Sequence, residues 1–362
     1  MSNYLASSLE YCARLLAGGE ADPGFSAEEL AVCSDEQGIA GLLLDVAALA
    51  HPPFVQQRQA LQRVAKEQAA REMAQSLEAR RVLDLFEKAE IHGLVLKGTA
   101  LAQWLYSEPW HRPRCDLDFL VGDAQVAHSA IAVLRSAGYN LIAGMGPETT
   151  DGYEVALQRS GGLVIDLHWR LLNNAFLAQN VNYEELASES LAIPSLHPQG
   201  RGLGRVHALV HAALHRVTNM PNHQQDRLIW LYDIHLLAGG CTPEEWSQLS
   251  QICRDKQMAM PCLDGLCASR RLLGTVIPPS VEGELAAQAK RETWQLSGVD
   301  QGVLDRAHFA ALSWSAKGRW VLNKFLPPRE FMRYRYGSNG RASLAKAYLG
   351  RWWTGLRRAC GW

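Results

Sequence analysis

Apolar residues recur every three or four positions through the first 88 residues, in YLASSLEYCARLLAG and again in the long stretch FVQQRQALQRVAKEQAAREMAQSLEARRVLDLFEKA. That spacing predicts amphipathic helices, and the second stretch is rich in strong helix formers with one polar face. Pro52 and Pro53 separate it from the helices before it. At Ile91 the pattern changes. IHGLVLKG is a short apolar run closed by glycine, which predicts a buried strand ending in a turn. TALAQWLY then predicts a helix starting at Thr99, CDLDFLVG a strand, and AQVAHSAIAVLRSAG a helix ending at Gly138. YEVALQRS and LVIDLHWRL, joined through Gly161-Gly162, predict a hairpin. From about Arg205 the periodicity is helical to the end, punctuated by proline pairs at 278–279 and 327–328. The order strand, helix, strand, helix, strand, strand predicts an α+β fold, a mixed sheet with helices on one side. The expected organisation is a helical region at 1–88, a sheet-bearing core at 89–200 and an all-helical region at 201–362 with a basic tail.

The 362 residues are 48% hydrophobic, enough for a substantial core. The formal charge of −1 hides an uneven distribution. From Lys317 onward there are eleven Lys or Arg against the single acid Glu330, so this tail carries +10 and the rest of the chain −11. Such a tail suits phosphates, nucleic acid or an anionic membrane surface. Within it Leu344, Tyr348, Trp352 and Leu356 fall at helical spacing beside Arg351, Arg357 and Arg358. The plain reading is a terminal helix docked on the protein with a solvated basic face; the alternative is an amphipathic helix lying on a membrane. Eight scattered cysteines, with no CxxC pair, argue against a disulfide scaffold or a zinc ribbon and read as buried thiols of a reducing compartment. The start of the chain lacks a basic region followed by an apolar core, and the longest apolar run, residues 39–50, is short and broken by Asp45. The expectation is a cytoplasmic protein, peripheral to a membrane if its tail engages one.

Two acids interrupt the apolar strand CDLDFLVG. Asp116 and Asp118 are two residues apart, so in a strand they project from one face while Leu117 and Phe119 enter the opposite layer. Two buried like charges are costly unless a cation offsets them. A third acid, Asp166, stands among Leu163, Val164, Ile165 and Leu167. If its strand lies beside the first, three carboxylates converge on hard oxygen-ligand geometry for Mg²⁺ or Mn²⁺, or for two such ions clamping a triphosphate. Upstream, Gly98-Thr99 sits at a strand-to-helix turn, where backbone amides and a helix start favour a phosphate and Thr99 can serve as cap and ligand. Lys97 adds a positive charge there.

The order Gly-Thr, Asp-x-Asp, later strand Asp resembles the nucleotidyltransferase superfamily that includes DNA polymerase beta and the aminoglycoside nucleotidyltransferases. LKGTALAQWLY, RPRCDLDFLV and VIDLHWRL together look like the bacterial family usually called uncharacterised nucleotidyltransferases, often found near polysaccharide and exopolysaccharide genes. The stronger likeness spans roughly 91–170 and extends through HALVHAALH and RLIWLYDI to about 240. It implies a nucleotidyltransferase-type mixed sheet and a Mg²⁺- or Mn²⁺-dependent transfer of a nucleoside monophosphate from an NTP to an acceptor. By the same resemblance Gly98 and Thr99 hold the triphosphate, Asp116 and Asp118 the metal, and Asp166 is third ligand or general base. Thr99 stands where the superfamily usually has serine, and seventeen residues separate Gly98 from Asp116, more than is usual there.

Around this set lie residues whose roles stay open. Arg112 and Arg114 either contact phosphates or neutralise Asp116 and Asp118 without metal. His168 shares the face of Asp166 and orients a ligand or a base, while Trp169 packs opposite. His207, His211 and His215 form one helical stripe; HxxxH is a zinc spacing, but no HExxH glutamate accompanies it, so structural or substrate-side roles lead. Asp233 either pairs with Arg227 or brings an acid from the helical region. The acceptor is not written in the chain. Alternatives to polysaccharide-related metabolism are a toxin-like enzyme that nucleotidylates tRNA or protein, with the basic tail as docking surface, and a catalytically silent nucleotide-binding scaffold.

Overall fold

The computed structural model describes residues 2–142, 152–178, 181–292, 300–337 and 341–359. The chain opens with helices α1 (Ser2–Leu16), α2 (Ala27–Gln37), α3 (Ala40–Leu44) and the 34-residue α4 (Val55–Lys88). Ser26 caps α2 by accepting from the Glu29 amide, and Gly38 ends it in the left-handed conformation. The sheet region follows as β1 (Gly93–Val95), α5 (Lys97–Trp104), β2 (Asp116–Val121), α6 (Ala124–Ser136), β3 (Tyr139–Leu141), β4 (Glu154–Arg159) and β5 (Val164–His168). Helices α7 (Ala175–Ala178) and α8 (Tyr183–Ser188) lead to two short strands, β6 (Leu191–Ala192) and β7 (Arg201–Gly202). The remainder is helical: α9 (Arg205–Thr218), α10 (Leu228–Gly239), α11 (Pro243–Lys256), α12 (Ala259–Leu273), α13 (Pro279–Ala289), α14 (Gln301–Ala311), α15 (Trp314–Phe325), α16 (Arg329–Tyr336) and α17 (Arg341–Ala359).

The mixed sheet runs β3-β4-β5-β2-β1-β7-β6. β2 and β5 pair in parallel; β1 with β2 and β4 with β5 pair antiparallel. The hairpin between β4 and β5 turns at Gly161, whose φ of 68° suits glycine. Leu117, Phe119, Val121, Ile165 and Leu167 pack on one face against Val82 and Phe86 of α4 and Ala130 and Leu134 of α6. From the other face Leu94, Leu96 and Leu120 join a larger core with α1–α3, α9, α10 and α12. Alternation along β2 therefore sends apolar residues into the α4–α6 layer and leaves Asp116 and Asp118 on the face toward α9.

The α+β class and the mixed sheet agree with the sequence reading. Three details differ. α5 begins at Lys97, so Thr99 lies in its first turn and does not cap it; the capping position is Leu96, which makes no side-chain cap bond. β3, β6 and β7, of three, two and two residues, were not anticipated, since an alternation cannot declare itself over so few positions. Cys115 is exposed, unlike the buried thiols expected, and the seven described cysteines are all free; Cys360 and the side chains of Leu356 and Arg358 lie outside the described residues.

Candidate active site

The parallel pairing of β2 with β5 sets Asp118 opposite Asp166, and two positions back Asp116 opposite Val164. One oxygen from each of Asp116, Asp118 and Asp166 lies within 4.8 Å of the other two, close enough to share a cation. Asp118 is 1% exposed. Burial opposes its charge, but the Lys97 ammonium, 2.6 Å from Oδ1, and His168, with Nε2 at 3.1 Å, hold its carboxyl well below the usual range. Asp116 and Asp166 receive less compensation. Burial and the charge of Asp118 raise Asp116, while burial and the charges of Asp118 and Asp116 push Asp166 up to about 7. The three carboxylates thus form a negative site with a single close ammonium, an arrangement that fits a divalent cation held by hard oxygens.

Lys97 stands at the strand-to-helix turn with φ 47°, an uncommon conformation for a residue with a side chain. From there its Nζ reaches Asp118, and although burial alone would lower its pKa, the charges of Asp118, Asp116 and Glu154 raise it. Next to it, Gly98 packs closely on the segment leading into β2. A Cβ there would meet Arg112 Nη1 at 3.1 Å and Arg114 Cβ at 3.3 Å. Thr99 is 1% exposed and its Oγ1 has no protein partner.

Neither arginine of the RPR segment pairs directly with the aspartates; Arg112 acts on Asp116 only through its charge. Arg112 donates through Nε and Nη2 to both carboxylate oxygens of Asp233 at 2.7–3.0 Å, and Tyr106 Oη adds a 2.6 Å bond to the same acid. Asp233 therefore pairs with Arg112, not with Arg227, whose Nε donates to the Glu36 carbonyl. Arg112 still lines the cavity beside Gly98, with most of its fork committed. Arg114 donates through Nη1 to the buried Glu72 of α4, and its Nε and Nη2 have no protein partner. The cation that neutralises Asp118 is Lys97, whose direction no pattern in the sequence revealed.

His168 stands on the face of Asp166, as alternation predicted, with Trp169 packed in the opposite core. Its Nδ1 lies 3.2 Å from Oε2 of Glu154, a carboxylate the sequence reading missed. Glu154 was findable: pairing outward from the Gly161-Gly162 turn puts it directly across from His168. The histidine stripe divides. His207 contacts Glu185 at 3.1 Å, away from the aspartates. His211 and His215 line the site, and His215 stacks edge-on against Trp230 with ring centroids 4.6 Å apart. Burial drives both below the usual histidine range, His215 to about 3, with Lys97 adding to the effect. Among the described residues no group able to share an ion includes this stripe; besides the triad there is Asp84, Glu87 and His197. His197 Nδ1 accepts from the Gln199 amide, so Nε2 carries the proton toward Asp84 and is not free to ligate.

Two cavities share Lys97 and His215, and Asp116 and Asp118 line the smaller of them. The smaller, about 140 Å³, is bounded by Gly98, Arg114, Asp116, Asp118, His211 and Trp230. Around it Arg114 Nε and Nη2, His211 Nε2 and Trp104 Nε1 have no protein partner. The larger, about 520 Å³, lies between Glu154 and His168 on one side and Trp320, Lys324, Phe331 and Arg351 of the C-terminal helices on the other. The profile of a family described as uncharacterised nucleotidyltransferase matches residues 23–274. No curated protein matches the chain.

Proposed function

The chain belongs to the uncharacterised nucleotidyltransferase family, and from that premise we propose that it moves a nucleoside monophosphate from an NTP to an acceptor hydroxyl or phosphate, releasing pyrophosphate, in a Mg²⁺- or Mn²⁺-dependent reaction. The observation that carries this reading is the register of β2 with β5, which brings Asp166 beside Asp118 and Asp116. When bound, the cation supplies Lewis-acid polarisation of the transferred phosphate and offsets its charge. Asp116 and Asp118 would hold it; Asp166 would close the set and receive the acceptor's proton. Gly98, with no side chain, lets the turn's amides approach the triphosphate, and Thr99 Oγ1 and Arg114 offer it donors that no protein group occupies. Lys97 keeps Asp118 ionised and would place its ammonium beside the phosphates of a bound nucleotide. Arg112, held by Asp233, fixes the wall against which the turn rests. His168 orients Asp118.

The test is incubation with each labelled NTP and Mg²⁺, with and without candidate acceptors, comparing the wild type with Asp116→Ala plus Asp118→Ala. Pyrophosphate release that the double variant loses supports the reading. Absence of release and of metal-dependent nucleotide binding with all four nucleotides sinks it.

A further inference from the structure

The C-terminal helices carry an apolar face that faces water. On α15, Trp314, Leu322 and Phe325 are 88%, 56% and 63% exposed and fall on one side of the helix, Gly318 lying midway between the first two. The opposite side of the same helix, Trp320 and Lys324, lines the larger cavity. On α17, Leu349, Trp352 and Trp353 are exposed at the same kind of spacing. The two stripes join where Trp352 Nε1 donates to the Phe325 carbonyl at 2.6 Å. The tail from Lys317 onward carries eleven basic residues and one acid, and Lys324 pairs with Asp305. Arg329, Arg333, Arg335, Lys346 and Arg357 are exposed.

A set of exposed rings alone would suit stacked bases, but nucleic acid rewards rings and cations and leaves aliphatic side chains in water. Here leucines stand out beside the rings. The headgroup region of an anionic bilayer takes all three: aliphatic groups in the acyl boundary, tryptophans at the interface, and Lys or Arg against the lipid phosphates. No described helix is long and apolar enough to cross a membrane, so the attachment would be peripheral. We propose that the joined face of α15 and α17 docks the protein on an anionic phospholipid surface. That face and the cavity wall are opposite sides of α15, so docking sets the larger cavity beside the bilayer.

The experiment is co-sedimentation of the full chain with phosphatidylcholine vesicles with and without phosphatidylglycerol, paired with quenching of tryptophan fluorescence by brominated lipid. The expected result is partition at least about tenfold stronger onto the anionic vesicles, weakened by salt and accompanied by quenching. Trp314→Ser, Phe325→Ser and Trp353→Ser together should abolish it with an unchanged thermal midpoint, because all three side chains already face water. Arg333→Glu with Arg357→Glu should weaken it independently. The proposal falls if the wild type ignores anionic vesicles at low salt, if the triple variant still binds, or if an oligonucleotide outcompetes the vesicles. It also falls if lipid-free protein forms a dimer that the triple variant dissolves, since a second copy would then be what covers the face.

Discussion

Asp166 illustrates how much of this site's behaviour comes from three charges that cannot all be compensated by side chains. Its carboxyl titrates at about 7 in the folded protein, against about 3.9 in an unfolded chain. Between those values the folded state keeps a proton that the unfolded state has lost, so this group makes the metal-free protein less stable as pH rises from about 4 to about 7. In EDTA, thermal midpoints followed across that window should show the decline, and Mg²⁺ should flatten it. Asp166→Asn should flatten the slope, raise the midpoint in EDTA at pH 8, and cut metal-dependent turnover at least about a hundredfold. Lys97 acts in the opposite sense. Lys97→Met leaves Asp118 buried without its ammonium and should cost about 2–4 kcal/mol in urea unfolding with EDTA. Added Mg²⁺ should recover more of that loss in the variant than it adds to the wild type.

At the scale of elements, α4 positions the triad from behind. Its buried face is partly polar, with Gln57, Gln68, Glu72, Gln75 and Glu78 all enclosed. Each is used: Gln57 Nε2 donates to the Asp22 and Phe25 carbonyls, Gln68 Nε2 to Asp35, and Gln75 Nε2 to the Arg114 carbonyl at 2.8 Å, while Glu72 accepts from Arg114 and Glu78 from Tyr139 Oη at 2.6 Å. The segment entering β2 is thus pinned two residues before Asp116. Glu72→Leu strands a buried guanidinium and should destabilise the fold by about 3–5 kcal/mol, measured by denaturant unfolding. Adding Arg114→Leu should restore most of the stability. If Arg114 also serves the triphosphate, turnover in the double variant should stay low with KM for the nucleotide raised, separating that role from packing.

Across the whole molecule, the sheet supplies the acids, α9 and α10 roof the smaller cavity, and α14–α17 wall the larger one. This wall lies beyond the span matched by the family profile, which ends at residue 274. We propose this wall as the acceptor's side of the site. Trp320→Ala enlarges the cavity without touching a carboxylate. The expected outcome is metal-induced stabilisation equal to that of the wild type, with KM for the acceptor raised several-fold.

Much of this was legible in the chain. Period-two alternation required Asp116 and Asp118 to share a face, the apolar run around Asp166 required a buried strand, and the hairpin turn at Gly161-Gly162 tied that strand to its neighbour; these are local constraints that backbone geometry imposes on any sequence of this pattern. What local pattern does not encode is which strands pair and where long side chains end. Three outcomes were decided only in three dimensions: the parallel register of β2 with β5, the partnership of Arg112 with Asp233 across 121 residues, and the reach of Lys97 to Asp118. The reason is physical. A buried charge takes whichever opposite charge the packed core brings within hydrogen-bonding distance, and Arg227, near in sequence to Asp233, lost that place to an arginine the core carried closer.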